Sequence, residues 1–106
     1  MITQDKAFWA ETPSLYYQSW VPERVEHVLV VSHGLGEHSG RYEHFARYLA
    51  AHRIAVYACD HIGHGESSGQ RGHIKSFADY SNFLREFIRF ACHKQKVDSV
   101  SVLGHS

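Results

Sequence analysis

The sequence predicts an α/β fold, a mainly parallel sheet with helices on its faces, preceded by an antiparallel hairpin. Short, nearly continuous apolar runs recur at His27–Ser32, Ile54–Cys59 and Ser99–Leu103, the mark of strands covered on both faces. Between them lie longer segments whose apolar residues recur at helical spacing. The order after the hairpin is therefore β-α-β-α-β, and that alternation favours parallel pairing through right-handed crossovers.

Each element has its own signal. Lys6 to Ala10 and Leu15 to Trp20 are aromatic-rich runs separated by Glu11-Thr12-Pro13, a hairpin pattern, and Val21-Pro22-Glu23 breaks it. His27–Ser32 follows as the first buried strand. Tyr42, Phe45, Ala46, Leu49 and Ala50 fall at i, i+3, i+4, i+7 and i+8 and predict a helix with one apolar stripe. Ile54–Cys59 is the next buried strand, closed by Asp60. A polar loop runs from His61 to Lys75, after which Ser76-Phe77-Ala78-Asp79 has capping-box spacing. Tyr80, Phe83, Leu84, Phe87 and Ala91 form a second stripe, and Lys94 and Lys96 lie where positive charge suits the helix dipole. Ser99–Leu103 is the last strand.

Composition narrows the function. The chain has 106 residues, enough for one domain at most. Its hydrophobic content of 43% and aromatic content of 13% fit a packed globule. Eleven basic and eleven acidic residues cancel, so bulk charge recruits neither nucleic acid nor an anionic membrane. Cys59 and Cys92 are too few for a disulfide framework and read as reduced, buried thiols. No apolar stretch near the start suggests a signal peptide, and no segment nears the roughly 20 apolar residues of a membrane span. The expected location is the cytoplasm. Ten histidines invite a metal reading, with His61 and His64 in an H-x-x-H pair and His33 and His38 nearby. These sit among glycines in separate loops, without zinc-ligand spacing, so no metal site is expected.

Three loops follow the predicted parallel strands, where α/β sheets place their ligands. They are His33-Gly34-Leu35-Gly36-Glu37-His38, Asp60-His61-Ile62-Gly63-His64-Gly65-Glu66-Ser67 and Gly104-His105-Ser106. The last reads as the first half of a G-x-S-x-G nucleophile elbow, in which a strained turn exposes a serine hydroxyl and Gly104 supplies a small residue. Taken alone, Ser106 would be an ordinary terminal serine; the other two loops outweigh that reading.

The run His33-Gly34-Leu35-Gly36-Glu37-His38-Ser39-Gly40-Arg41-Tyr42 resembles the H-G-x-G-E-H-S-G-R-Y segment of monoacylglycerol lipases. These belong to the lysophospholipase and serine aminopeptidase-like branch of the α/β-hydrolases. Asp60 to Gly69 matches the family's D-x-x-G-H-G-x-S-x-G loop, and Gly104-His105-Ser106 the opening of its G-H-S-x-G elbow. The resemblance spans nearly the whole chain but only the opening part of a typical member. It implies that residues 1–106 are the N-terminal part of one α/β-hydrolase domain, cut at the elbow.

The activity it implies is hydrolysis of a carboxylic ester, most readily a monoacylglycerol or lysophospholipid, through an acyl-enzyme. Ser106 would be the nucleophile and the Leu35 backbone N–H one oxyanion donor. The acid and base of a triad follow the serine in this family, so the chain as given is expected to be inactive. Glu37 and Arg41 match residues near the substrate's polar head; as an i, i+4 ion pair they would instead only steady a helix start. Asp60 and Gly63-His64-Gly65 read as structural, an Asp capping loop amides beside a tight glycine turn. No cofactor is implied. The partner is a small lipid ester, with peripheral membrane contact through a cap that this chain does not include.

Two other readings compete. Gly34, Gly36 and Gly40 after a strand, with Asp60 ending the next, faintly resemble a dinucleotide-binding turn. The spacing departs from G-x-G-x-x-G, Glu37 would set negative charge near a pyrophosphate, and Ser106 goes unexplained. A truncated, inactive paralogue is the other. In either hydrolase case Ser99–Leu103 would lie on the outside of the sheet although it is apolar on both faces, so the chain is expected to associate or express poorly.

Overall fold

The structure, a computed structural model, describes residues 1–34, 37–69, 71 and 77–104, the side chain of Phe77 excepted. Five strands form one mixed sheet in the order β1-β2-β4-β3-β5. They are β1 (Ile2–Glu11), β2 (Ser14–Pro22), β3 (His27–Ser32), β4 (Ile54–Cys59) and β5 (Ser101–Gly104). The first two make the expected hairpin, longer than the aromatic runs indicate. Pairing continues from Glu11↔Ser14 to Ile2↔Pro22, with a register shift between Phe8 and Ala10. The outer half of β1 is polar because it is a sheet edge, where Thr3, Asp5 and Lys6 stay exposed. β2 joins β4 antiparallel, whereas β3 pairs parallel with both β4 and β5.

Alternation along the two central strands explains their unbroken apolar character. Val28 and Val30 of β3, with Ala55, Tyr57 and Cys59 of β4, enter one core cluster. Val31 of β3, with Val56 and Ala58 of β4, enters the other. Successive side chains point to opposite faces, so a strand that feeds two cores cannot alternate with polar residues.

Each core is closed by one helix. Helix α1 (Glu43–Ala50), entered through a 3₁₀ turn at Ser39–Tyr42, buries Ala46 and Ala50 against Trp20, Val31 and Val56. Phe45 departs from the predicted stripe: it is 42% exposed. Small alanines sit where α1 approaches the sheet most closely, and Phe45, about 100° around the helix from Ala46, faces outward. Helix α2 (Phe77–Gln95) packs Phe87 and Ala91 on the opposite face, joined by Leu84, Ile88, Phe90 and Trp9. Ser76, the expected cap, lies outside the described residues. Cys59 is buried and Cys92 half-buried, both as free thiols. Burial pushes the Cys59 thiol up to about 12, which leaves it unreactive at neutral pH. No helix among the described residues is long and apolar enough to cross a membrane.

β5 is shorter than Ser99–Leu103 and lies at the sheet edge. All of its residues are exposed, Val102 at 47% and Leu103 at 38%. No charge or proline guards this strand, so its free backbone groups and apolar side chains form a template for pairing. The chain is expected to self-associate with concentration in sedimentation velocity, and Val102→Lys should lower that tendency. A sharp melting transition of a monomer, unchanged across protein concentrations, would contradict this.

Candidate active site

Parallel register brings the carboxyl ends of three strands to one rim. Ser32 of β3 is opposite Cys59 of β4 on one side and opposite Gly104 of β5 on the other. The chain therefore leaves all three strands at the same edge of the sheet, where such folds hold ligands. Leu35, Gly36, His105 and Ser106 lie outside the described residues, so the nucleophile and oxyanion-donor expectations are not located. Among the described residues, nothing lies within 4 Å of a Cβ built on Gly104.

Asp60 ties the rim together. Its side chain is buried; Oδ1 accepts the Ser39 amide at 2.6 Å and Oδ2 the Glu66 amide at 2.8 Å. Its own amide donates to Tyr16 O at 2.8 Å, and its carbonyl accepts the Ser67 hydroxyl at 2.6 Å. Ser67 Oγ in turn accepts the Tyr16 amide at 2.8 Å. One aspartate thus fastens the first loop, the second loop and β2. The glycines serve this arrangement, with positive φ at Gly63 (78°), Gly65 (51°) and Gly69 (114°), which side chains rarely adopt. The structural reading of Asp60 and its turn is what the geometry supports. The roles of Ser39, Ser67 and Tyr16 in it were not legible, because any loop of this composition carries serines.

Glu37 is a second fastening. Its Oε1 accepts the Gly34 amide at 2.8 Å and the Tyr42 hydroxyl at 2.9 Å, and Oε2 pairs with Arg41 Nε at 2.9 Å. The Glu37 amide also donates to Gly34 O at 3.0 Å. The expected i, i+4 pair forms across the loop and the 3₁₀ turn, ahead of α1. Its Arg41 side chain is 69% exposed, so the ion pair itself adds about 0–1 kcal/mol at most. The Gly34 amide, which the dinucleotide reading would give to a pyrophosphate, is occupied by this carboxylate.

Three imidazoles are buried behind the rim. The His33 ring lies 4.3 Å from His61 and 5.2 Å from His64, and Tyr80 of α2 packs edge-on to His61 at 4.8 Å. His33 Nδ1 donates to Gly34 O at 2.8 Å and Nε2 accepts the His61 amide at 2.9 Å. His61 Nε2 meets Ser32 Oγ at 2.9 Å, and His64 Nδ1 donates to Ile62 O at 3.1 Å. His64 Nε2 is buried without a hydrogen-bond partner among the described residues. Burial holds His33 below the usual imidazole range; burial, with the neighbouring rings second, brings His61 to about 3. Both are neutral at pH 7. With its one lone pair committed to a backbone amide, His33 is a fixture of the fold and cannot act as a base in this arrangement. Among the described residues, no group of three or more His, Cys, Asp or Glu side chains is placed to hold a metal ion.

Comparison with known proteins agrees with this framework. Human monoglyceride lipase is 40% identical over 101 residues, covering 92% of this chain and 32% of the human protein. The monoacylglycerol lipase of Mycolicibacterium smegmatis is 37% identical over 93 residues, covering 87% of this chain and 33% of the other. Among solved structures, the Paleococcus ferrophilus monoacylglycerol lipase superposes with a TM-score of 0.66 at 31% identity, over 100% of this chain and 34% of that one. The chain thus spans about a third of the length of the curated relatives it matches. Residues 23–106 match the profile of the family described as "Serine aminopeptidase, S33". With an α/β sheet whose parallel strands end at one rim, and a match over most of its length, the chain belongs to this serine hydrolase family, alongside monoacylglycerol lipases.

Proposed function

We propose that this chain contributes the nucleophile-bearing part of a serine esterase acting on monoacylglycerols or lysophospholipids. The observation that supports this best is the common rim: β3, β4 and β5 end side by side, and in the sequence Leu35 comes shortly after β3 and Ser106 shortly after β5. In this reading Ser106 Oγ attacks the ester carbonyl and the Leu35 N–H stabilises the oxyanion. The glycerol or glycerophosphate alcohol leaves with a proton, and water releases the fatty acid from the acyl-enzyme. Glu37 holds the Leu35-bearing loop through the Gly34 amide and carries Arg41 toward solvent, where its guanidinium can meet a polar head group.

The proton from Ser106 needs a base. His33 donates and accepts within the loops and His61 is bound to Ser32, so neither is free for this step. In the family's order the acid and base follow the nucleophile, and the 106 residues alone are expected to be inactive.

The test places this chain in the matching 101-residue segment of human monoglyceride lipase. The chimera should react with a fluorophosphonate at Ser106 and hydrolyse monoacylglycerol, and Ser106→Ala should remove both. Leu35→Pro, which deletes one N–H, should lower kcat by about 10²–10³-fold. A folded chimera with no labelling at Ser106 would overturn the proposal.

A further inference from the structure

We propose that His33 is an acid-sensitive latch: protonation of its Nε2 breaks its bond to the His61 amide and frees the start of the second rim loop from the first, while the sheet and the Asp60 clamp stay formed. The latch follows from which atoms can donate. A carbonyl oxygen has no proton to give, so the Gly34 contact at 2.8 Å requires a proton on Nδ1. An amide N–H has no lone pair to offer, so the His61 contact at 2.9 Å requires a bare Nε2. Only the neutral Nδ1–H tautomer satisfies both. A second proton would sit on Nε2 facing the His61 N–H, donor against donor, and the hydrogen bond would become a repulsion.

The neighbouring imidazoles respond differently. His61 Nε2 faces the Ser32 hydroxyl, which can rotate to donate or accept, so protonation there reverses a bond without severing one. The His64 Nδ1 contact to Ile62 O stays within the second loop and joins nothing across the rim. Among the described residues, His33 alone hydrogen-bonds across the two loops through its ring.

The groups facing His33 set the direction. From the second loop come the His61 and His64 rings, and Tyr80 of α2, uncharged, covers His61. Asp60 at the end of β4 and Glu37 on the first loop favour a positive imidazole. Their carboxylates are already engaged, Asp60 by two amides and Glu37 by the Gly34 amide, Tyr42 and Arg41. Burial outweighs them and lowers the folded-state value below that of the free side chain. The unfolded or opened state therefore binds the proton more tightly. The latch contributes fully above about pH 6.5 and is lost as pH falls below it toward the folded value. What remains is the β3–β4 ladder from His27↔Ile54 to Ser32↔Cys59 and the Asp60 clamp, neither of which depends on an imidazole. The inference does not rest on the esterase reading, since it concerns only the loop junction.

The experiment is an NMR titration of the intact chain labelled with ¹⁵N in histidine and in the backbone. At neutral pH the His33 ring should show the Nδ1–H tautomer. Between about pH 7 and 4.5 the protection factor of the His61 amide should fall at least about tenfold while those of Val30 and Tyr57 hold. His33→Gln, whose side-chain carbonyl can accept the same amide without titrating, should keep His61 protection independent of pH. Three outcomes would overturn the latch: an Nε2–H tautomer for His33 at neutral pH, His61 protection that tracks the sheet amides, or the same loss in a folded His33→Gln. The wild-type tautomer and exchange data decide the matter even if that variant does not fold.

Discussion

Gly65→Ala is expected to remove most or all of the stability of this chain, because two independent costs fall on one position. Gly65 has φ +51°, and the left-handed region costs an L-residue about 1–2 kcal/mol. The added Cβ would also stand closer than 3.0 Å to Asp60 Cγ and to both carboxyl oxygens. That side chain is no flexible surface group that can swing away. Its two oxygens hold the Ser39 and Glu66 amides, so relief of the clash means surrendering those bonds, the first of them to a buried residue. Each hydrogen bond to a charged group contributes about 1.5–3 kcal/mol. The sum is of order 4–8 kcal/mol, comparable with the whole stability of an ordinary small domain at about 5–15 kcal/mol.

Gly40→Ala supplies the contrast. The nearest atoms to its added Cβ belong to the exposed His38 ring at 3.0 Å, which can rotate away, and the backbone there is unstrained. Urea unfolding should give a loss below about 1 kcal/mol for Gly40→Ala and a largely unfolded chain for Gly65→Ala. A Gly65→Ala protein that unfolds within about 1 kcal/mol of wild type would mean that Asp60 is not the clamp described here.

Much of the fold was readable because the central strands are buried on both faces. His27–Ser32 and Ile54–Cys59 coincide with β3 and β4 residue for residue. Where one face meets water, the signal weakened. β1 extends back to Ile2 through polar residues that pairing, and not burial, makes extended. β5 shortened to Ser101–Gly104 and its apolar side chains stand exposed. At the site, the D-x-x-G-H-G-x-S pattern pointed to a turn built around Asp60, since glycines mark where a side chain cannot go. The pattern could not say which amides the carboxylate would take, because Ser39 lies 21 residues away. The packing role of the histidines was hidden for a related reason: spacing along the chain does not say which rings meet. His33, His61 and His64 meet only through parallel pairing of β3 and β4, and they meet as hydrogen-bonded packing groups. A tautomer fixed by a backbone amide leaves no trace in the sequence.

Phe87→Ala is expected to cost about 3–5 kcal/mol, the range for emptying a buried aromatic site. Phe87 is 0% exposed and lies at the junction of α2 with the sheet. Its ring centroid is 5.3 Å from Trp9, 5.9 Å from Tyr17 and 5.9 Å from Phe90, in tilted and stacked arrangements that add to simple burial. Those partners come from β1, β2 and α2 itself, so the hole cannot be filled by the movement of one element. Tyr17 is held by the hairpin register opposite Ala7 and also stacks on Tyr57 of β4 at 6.3 Å, while Trp9 falls at the register shift between Phe8 and Ala10. The neighbouring Phe90, only partly buried, can lose its ring to solvent-side relaxation, and Phe90→Ala should cost no more than about half as much. The loss at Phe87 should also reach the rim, since α2 carries Tyr80 onto His61 about two turns away along the helix. Chemical denaturation of the two variants gives the first comparison, and near-ultraviolet circular dichroism of the aromatic cluster the second. Equal losses at Phe87 and Phe90 would show that α2 is held to the sheet by general burial, without the tight seat that this cluster describes.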